Sequence, residues 1–363
     1  MFWLPSFSFL LCSILGVTAL PGRQRATPKS DYIRDAVDAA RVLNDEWYND
    51  SNGQWQDLWW NSANVVTTLG GLAQVDSDYK TTGIGIVEGV FSAAKGSNGG
   101  TWLNNFYDDE GWWALAWIKV YDLTEDSRYL SAAEDIFGDL KTGLGATCGG
   151  QWWDKDHTSS NTINNALFLS VAASLANRVG NDKQAEYRDA ATSQVDWLLS
   201  KGLDNSNNTF VDGLSLDDCS PEGDVFTYNQ GAMIGGLVEV NKLTGNSSYL
   251  DKAAEIAQGA MDHLTSDGIL TELSIYPDAD QTAAQFKGVF VRNLVSLQSA
   301  RPNSDYIGFL QNNADALWAQ DRIDAGSNEG QLGSAWQGPV TSVSAASQSS
   351  ALDCLVAAAA VSS

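Results

Sequence analysis

The sequence predicts an all-α protein, six helical hairpins closed into an (α/α)6 toroid, and three observations carry that prediction. Strand-type alternation is scarce after the first twenty residues, while apolar residues recur at helical spacing. The helices so marked alternate between charged, one-sided segments and nearly uncharged ones. The connections alternate too, short after each uncharged helix and long after each charged one.

Taken in order, Asp31 to Trp47 sets Ile33, Val37, Ala40 and Leu43 on one stripe, the pattern of a helix with one face in water. Asn61 to Leu72, NSANVVTTLGGL, carries no charge and many small residues, as a helix surrounded by protein does. The charged kind returns near Ser77 to Lys95, Asp126 to Lys141, Asp182 to Lys201, Ser247 to Leu264 and Ser304 to Gln320. The charge-poor kind returns near Asp109 to Val120, Thr162 to Ala176, Gln230 to Val240, Ala284 to Leu297 and Ser342 to Ala360. Two charged segments share wording, LTEDSRYLSAAEDI from Leu123 and LTGNSSYLDKAAEI from Leu243, as repeated supersecondary units do. An open stack of such pairs would leave one side of the uncharged helices facing water, so closure into a ring is expected. The Ser-rich, Ala-rich end of the chain has the look of an anchor signal, but its apolar run is short, and as a sixth inner helix it completes the ring.

Residues 1–19 read as a signal peptide, an apolar run ending in Val17-Thr18-Ala19, and residues 20–363 as one domain. The sequons at Asn49, Asn207 and Asn246 suit a secreted glycoprotein. A net charge of −24, from 45 acidic and 21 basic residues, repels phosphate backbones and anionic lipids. Nucleic-acid binding and membrane insertion are therefore not expected; a neutral glycan is, with the protein a monomer. Cys148, Cys219 and Cys354 lack zinc-ligand spacing and the two histidines are far apart in sequence, so neither metal nor cofactor is expected. Cys148 and Cys219 fall in consecutive long loops while Cys354 falls inside the last helix, which pairs the first two as a disulfide.

The long loops all emerge on one face, where a rigid scaffold carries its chemistry. Seven of the fourteen tryptophans, Trp55, Trp59, Trp60, Trp102, Trp152, Trp153 and Trp336, fall in these loops or at inner-helix starts, and indole faces suit sugar rings. For any single one, core packing is the competing reading; Trp47, Trp197 and Trp318, on outer helices, read as packing residues. The sharpest local pattern is FYDDEGWWALAWI, Phe106 to Ile118, with Asp108 and Asp109 at the mouth of an inner helix beside Tyr107, Trp112 and Trp113. An isolated Asp-Asp-Glu there would read as capping and dipole compensation. Capping needs one short polar side chain, however, and a second carboxylate on the loop-bearing face points to paired acid and base. Adjacent positions at a helix start are about 100° apart, which sets their carboxyls ~5 to 7 Å apart, a spacing compatible with a retaining glycosidase. Charge on one should raise the pKa of the other and separate nucleophile from proton donor. Uncharged amides and other polar groups recur at the same level, Asn61, Asn64, Asn164, Asn165, Tyr228 with Gln230, Gln285 with Lys287, and Gln348, and suit hydroxyl-rich ligands or helix caps equally.

The segments YDDEGWWALAWI, WWNSAN from Trp59, CGGQWW from Cys148 and NNALF from Asn164 resemble glycoside hydrolase family 76, from about Asp31 to the C-terminus. The resemblance implies an (α/α)6 barrel, endo-acting retaining cleavage of α-1,6-mannosidic linkages, Asp108 as nucleophile and Asp109 as acid/base. Trp60, Asn61, Asn64, Tyr107, Trp112, Trp152, Trp153, Asn165, Tyr228, Gln230 and Lys287 are the candidate substrate contacts. The family also includes fungal cell-wall proteins assigned to transglycosylation of the mannose core of GPI anchors, which usually carry an anchor signal of their own. Transglycosylation thus stays open, as does a binding protein with a dead site, although such a protein would be expected to have lost one carboxylate. An (α/α)6 hydrolase for acidic sugars should show basic loops, and these are acidic and Asn-rich.

Overall fold

The computed structural model describes residues 27–277 and 279–363, so the signal-peptide segment lies outside the described residues. Twelve helices of the described residues alternate outside and inside a ring. The outer set is α1 (Lys29–Trp47), α3 (Lys80–Ser97), α5 (Ser127–Leu140), α7 (Asn181–Ser200), α9 (Ser248–His263) and α11 (Ser304–Gln320). The inner set is α2 (Trp59–Val75), α4 (Tyr107–Thr124), α6 (Thr162–Ala176), α8 (Thr227–Thr244), α10 (Phe286–Ala300) and α12 (Ala345–Val361). The apolar C-terminal stretch is thus the twelfth helix, buried along most of its length.

Each inner helix packs against its two inner neighbours, and α12 closes the circle between α10 and α2. Burial explains the composition: every residue of α6 is buried, whereas α5 buries only the stripe Tyr129, Ala132, Ala133, Ile136, Phe137 and Leu140. Where inner helices touch most closely only glycine fits; a Cβ on Gly231 of α8 would stand 2.7 Å from Phe290 Cα of α10. Some of the charges on inner helices are paired across these seams, as Arg292 of α10 is with Asp353 of α12 at 2.9 Å. Capping boxes start α6 (Asn161 with Asn164) and α12 (Ser344 with Ser347), satisfying amide groups that would otherwise be orphaned at a buried helix end.

The short connections, such as Glu125 and Asp126 between α4 and α5, lie at one end of the ring. The long ones lie at the other and carry three two-residue hairpins: β1 (Tyr48–Asn49) with β2 (Gln54–Trp55), β3 (Gly213–Leu214) with β4 (Pro221–Glu222), and β5 (Thr265–Ser266) with β6 (Ile269–Leu270). A disulfide joins Cys148 to Cys219 across two of these loops, with a Cα–Cα distance of 5.5 Å, while Cys354 is free and buried in α12. Asn49, Asn207 and Asn246 are all exposed. No helix among the described residues is long and apolar enough to cross a membrane.

Candidate active site

Asp108 and Asp109 occupy the first turn of α4, one and two positions after its first residue, so neither is the cap; that place falls to Phe106. The entry of the helix is held from outside: the Tyr107 N–H donates to Trp153 O at 2.9 Å, and the Tyr107 ring fills the space left by Gly143, where a Cβ would meet it at 2.6 Å. Both carboxyls keep some contact with solvent but are closely surrounded by protein, as at the floor of a cleft.

Their environments differ. Asp108 Oδ2 accepts from Trp153 Nε1 at 2.9 Å and its Oδ1 accepts from the Asp109 N–H at 3.0 Å. Burial still pushes Asp108 up to about 6, with those two donors pulling it back. Asp109 has one donor, Asn104 Nδ2, at 2.6 Å from its Oδ2, and stands well above the usual carboxylate range through burial and the neighbouring Asp108 charge. The pair is therefore split in the direction that a nucleophile and a proton donor require.

Three further groups complete the site, of which the sequence singled out Tyr228 but neither Asp212 nor Glu110. Asp212, on the loop before β3, adds negative potential at Asp108 and accepts from Asn161 Nδ2 at 3.0 Å and Asn229 Nδ2 at 3.3 Å. Tyr228 stacks on Phe286 with ring centroids 3.8 Å apart, and burial together with the nearby Asp212 carboxylate holds its hydroxyl well above the usual tyrosine range. Glu110 is fully buried; its Oε1 takes Lys155 Nζ at 2.8 Å and the Asn104 N–H at 3.1 Å, and burial pushes its carboxyl up to about 8.

The structure separates the remaining candidates. Trp153 joins the carboxylates, and Trp152, one residue back, stacks at 4.7 Å on the exposed His157 ring. Trp60 stays half-buried, 6.0 Å from the Trp112 ring, while Trp112 is buried. Trp55, Trp102 and Trp336 are core residues rather than cleft walls: Trp102 packs at a tilt against Trp113 and Trp117 at 4.8 and 4.7 Å, and Trp59 meets Trp113 at 4.9 Å. Large indoles fill the wedge between α2, α3 and α4, and that wedge draws on the same composition as a sugar platform.

The amides are spent on the scaffold. Gln230 brackets Phe210, accepting its N–H at 2.7 Å and donating to its carbonyl at 2.9 Å. Asn165 accepts the Gln151 N–H at 2.8 Å, and Gln348 accepts that of Leu332 at 2.6 Å. Asn164 donates to the carbonyls of Gln151 and Trp152 at 2.8 and 3.0 Å. Asn61 donates to Gln285 Oε1 at 2.9 Å, and Asn64 is bound by Arg292. Lys287 is buried between Ser334 O at 2.8 Å and the Trp336 ring at 4.1 Å, and burial lowers it to about 8. A long loop packed on inner helices has backbone groups that water cannot reach, and an uncharged amide on the first turns of the helix supplies the missing partner.

A cavity of about 720 Å³ lies in the lower lumen of the ring, lined among others by Thr67, Gly71, Lys119, Arg178, Glu239 and Arg292. Volume does not locate the chemistry here, because the acids in it are paired with cations, Asp122 and Glu239 with Arg178 and Asp353 with Arg292. Among the described residues no cluster of His, Cys, Asp and Glu has metal-binding geometry.

The decisive comparison is with a family model, glycosyl hydrolase family 76, which matches residues 35–362. The chain belongs to that family. Among its curated relatives, the mannan endo-1,6-alpha-mannosidase DFG5 of Candida albicans is 25% identical over 77% of this chain and 67% of its own. The mannan endo-1,6-alpha-mannosidase DCW1 of Saccharomyces cerevisiae is 28% identical over 52% of this chain and 45% of its own. The chain thus spans about two thirds of the first relative and less than half of the second. Two solved structures give the same fold. An alpha-1,6-mannanase of Salegentibacter sp., in an inactive variant with two consecutive aspartates replaced by alanine and bound to alpha-1,6-mannotetrose, superposes with a TM-score of 0.78 at 23% identity. That match covers 91% of this chain and 99% of the mannanase. Dfg5 of Chaetomium thermophilum, in complex with glucosamine, has a TM-score of 0.76 at 18% identity, covering 93% and 92%.

Proposed function

We propose that this family 76 protein is a secreted, endo-acting retaining hydrolase of α-1,6-linked mannan, with Asp108 as nucleophile and Asp109 as acid/base. One observation carries the reading: two adjacent first-turn carboxylates of which one is held by two donors, including an indole N–H, and the other stands higher in pKa beside it. The names of the curated relatives, and the paired aspartates removed to inactivate the mannanase, support it.

In the first step the Asp108 carboxylate attacks the anomeric carbon, the glycosidic C–O bond breaks, and the Asp109 proton passes to the leaving oxygen. In the second, Asp109, now a carboxylate, takes a proton from water as the water oxygen attacks the same carbon and releases Asp108. Two inversions give net retention. Asp212 and Tyr228 stand beside Asp108, where hydroxyl groups of the bound sugar could exchange hydrogen bonds with them. A sugar hydroxyl in place of water would turn the same two steps into transfer. Incubation with linear α-1,6-mannan tests the reading: shorter oligosaccharides, released first in the α configuration, are expected. Exclusive formation of lengthened or acceptor-linked products would assign a transferase instead, and β products would refute retention.

A further inference from the structure

We infer that Asn104 is a positioning residue that places the transferable proton of Asp109 on Oδ1 by holding Oδ2 as a permanent acceptor. The inference rests on the assignment of Asp109 as acid/base and adds which of its oxygens does the work. Asn104 lies in the loop between α3 and α4, five residues before Asp109, and its N–H, Oδ1 and Nδ2 are all engaged. Its N–H donates to Glu110 Oε1 at 3.1 Å, its Oδ1 accepts from the Phe106 N–H at 2.8 Å, and its Nδ2 donates to Asp109 Oδ2 at 2.6 Å.

The orientation of the amide is forced. A backbone N–H only donates, so the atom facing Phe106 must be the oxygen and the atom facing Asp109 the nitrogen. An amide hydrogen therefore always points at Oδ2. A proton placed on that oxygen would be set against it, so the acid form of Asp109 carries its proton on Oδ1. After the proton has left, the same amide stabilises the carboxylate that must act as base.

The anchor behind Asn104 is rigid. Glu110 is fully buried, and Lys155 ties it to Asp139 of α5, with Nζ 2.8 Å from both carboxylates. The charged groups acting on Asp109 are Asp108 and Glu110 on α4; behind them, Lys155 on the loop before α6 and Asp139 on α5 act on Glu110, and Asp212 acts on Asp108. Burial, Asp108 and Glu110 push Asp109 up, and the Asn104 amide pulls it down.

The test is the pH dependence of kcat/KM and kcat for Asn104→Ala and Asn104→Asp in the full chain, with an activated aryl α-mannoside and with α-1,6-mannotetraose, folding being checked by thermal melting. Loss of a donor to a carboxylate should move the alkaline limb of kcat/KM up by about one to two pH units in Asn104→Ala. Its kcat should fall by about tenfold or more as the base step slows, and azide, which needs no base, should restore kcat on the activated substrate. Asn104→Asp keeps the acceptor for Phe106 but turns a second carboxylate towards Asp109, so its alkaline limb should move up further. That variant decides the matter if Asn104→Ala does not fold. An alkaline limb left in place in the folded variant, with kcat merely lower and indifferent to azide, overturns the inference. Asp109→Ala measured in parallel separates the two levels: if azide fails to rescue it, the acid/base assignment falls and the inference with it.

Discussion

Replacing Trp153 by phenylalanine removes a hydrogen-bond donor from the site while leaving an aromatic ring in place. The benzene ring can keep the aromatic contact that Trp153 makes with Phe106 at 4.8 Å, while Asp108 Oδ2 loses the indole donor at 2.9 Å. Asp108 keeps its second donor, the Asp109 N–H at 3.0 Å, so the charged form is weakened rather than abandoned. A hydrogen bond to a charged group contributes about 1.5 to 3 kcal/mol. Asp108 retains some solvent contact, so the lower end applies, and about 1.5 kcal/mol is about one pKa unit. Starting from about 6, the nucleophile should then titrate about one unit higher. Well below its pKa the ionised fraction falls about tenfold, so kcat/KM in Trp153→Phe should drop by about tenfold near pH 5 and converge on the unmodified enzyme's value towards about pH 8. Initial rates on an activated mannoside across that range make the measurement. A loss of the same factor at every pH would show that the indole acts by shape alone, and would refute the argument.

Two further outcomes concern stability. Cys148→Ser should lower the melting temperature, because closing a loop of 71 residues is worth about 4 kcal/mol on the chain-entropy model; an unchanged melting temperature would mean that the disulfide constrains nothing. Burial raises Asp108 and Asp353 to about 6, Glu272 and Asp321 to about 7 and Glu110 to about 8. The folded state thus holds these protons more tightly than the unfolded chain, so their contribution is complete below about pH 4 and is lost as pH rises through about 6 to 8. Lys287, lowered to about 8, adds no slope below that pH. The melting temperature should fall between about pH 5 and pH 8, and Asp321→Asn should flatten the fall; a melting temperature that rises over the range would contradict the account.

The ring was legible because water divides its helices into two kinds. α5 must keep Arg128, Glu134 and Asp135 outside its buried stripe, whereas α6 has no side that meets water, and that contrast is written in composition. The first turn of α4 was legible because it holds more carboxylate than capping needs. The loop amides left two readings open for a physical reason: Gln230, Asn165 and Gln348 grip buried backbone at Phe210, Gln151 and Leu332, a need that looks the same in sequence as hydroxyl recognition. For Trp102 and Trp336 the structure decides between the two readings in favour of packing, since an indole in a loop segment can turn inward as readily as towards a ligand. Asp212 had no local signature at all. It lies 104 residues beyond Asp108 in the chain, and only closure of the ring brings its charge to bear there. Asn104 did carry a signal, a short polar residue two positions before the residue that caps α4, which is where an Asx-type turn would put it.

The central claim is that Asp108 and Asp109 divide nucleophile from acid/base, and azide separates the roles most directly. With an activated mannoside, Asp109→Ala should still form the glycosyl-enzyme through Asp108 and release α-mannosyl azide, the retained product, at a rate that rises with azide. Asp108→Ala has no nucleophile to interpose and should give at most the β-mannosyl azide. Analysis of the two azide products by NMR decides the matter: α from Asp109→Ala and β or none from Asp108→Ala is the predicted result, and α-mannosyl azide from Asp108→Ala would contradict it.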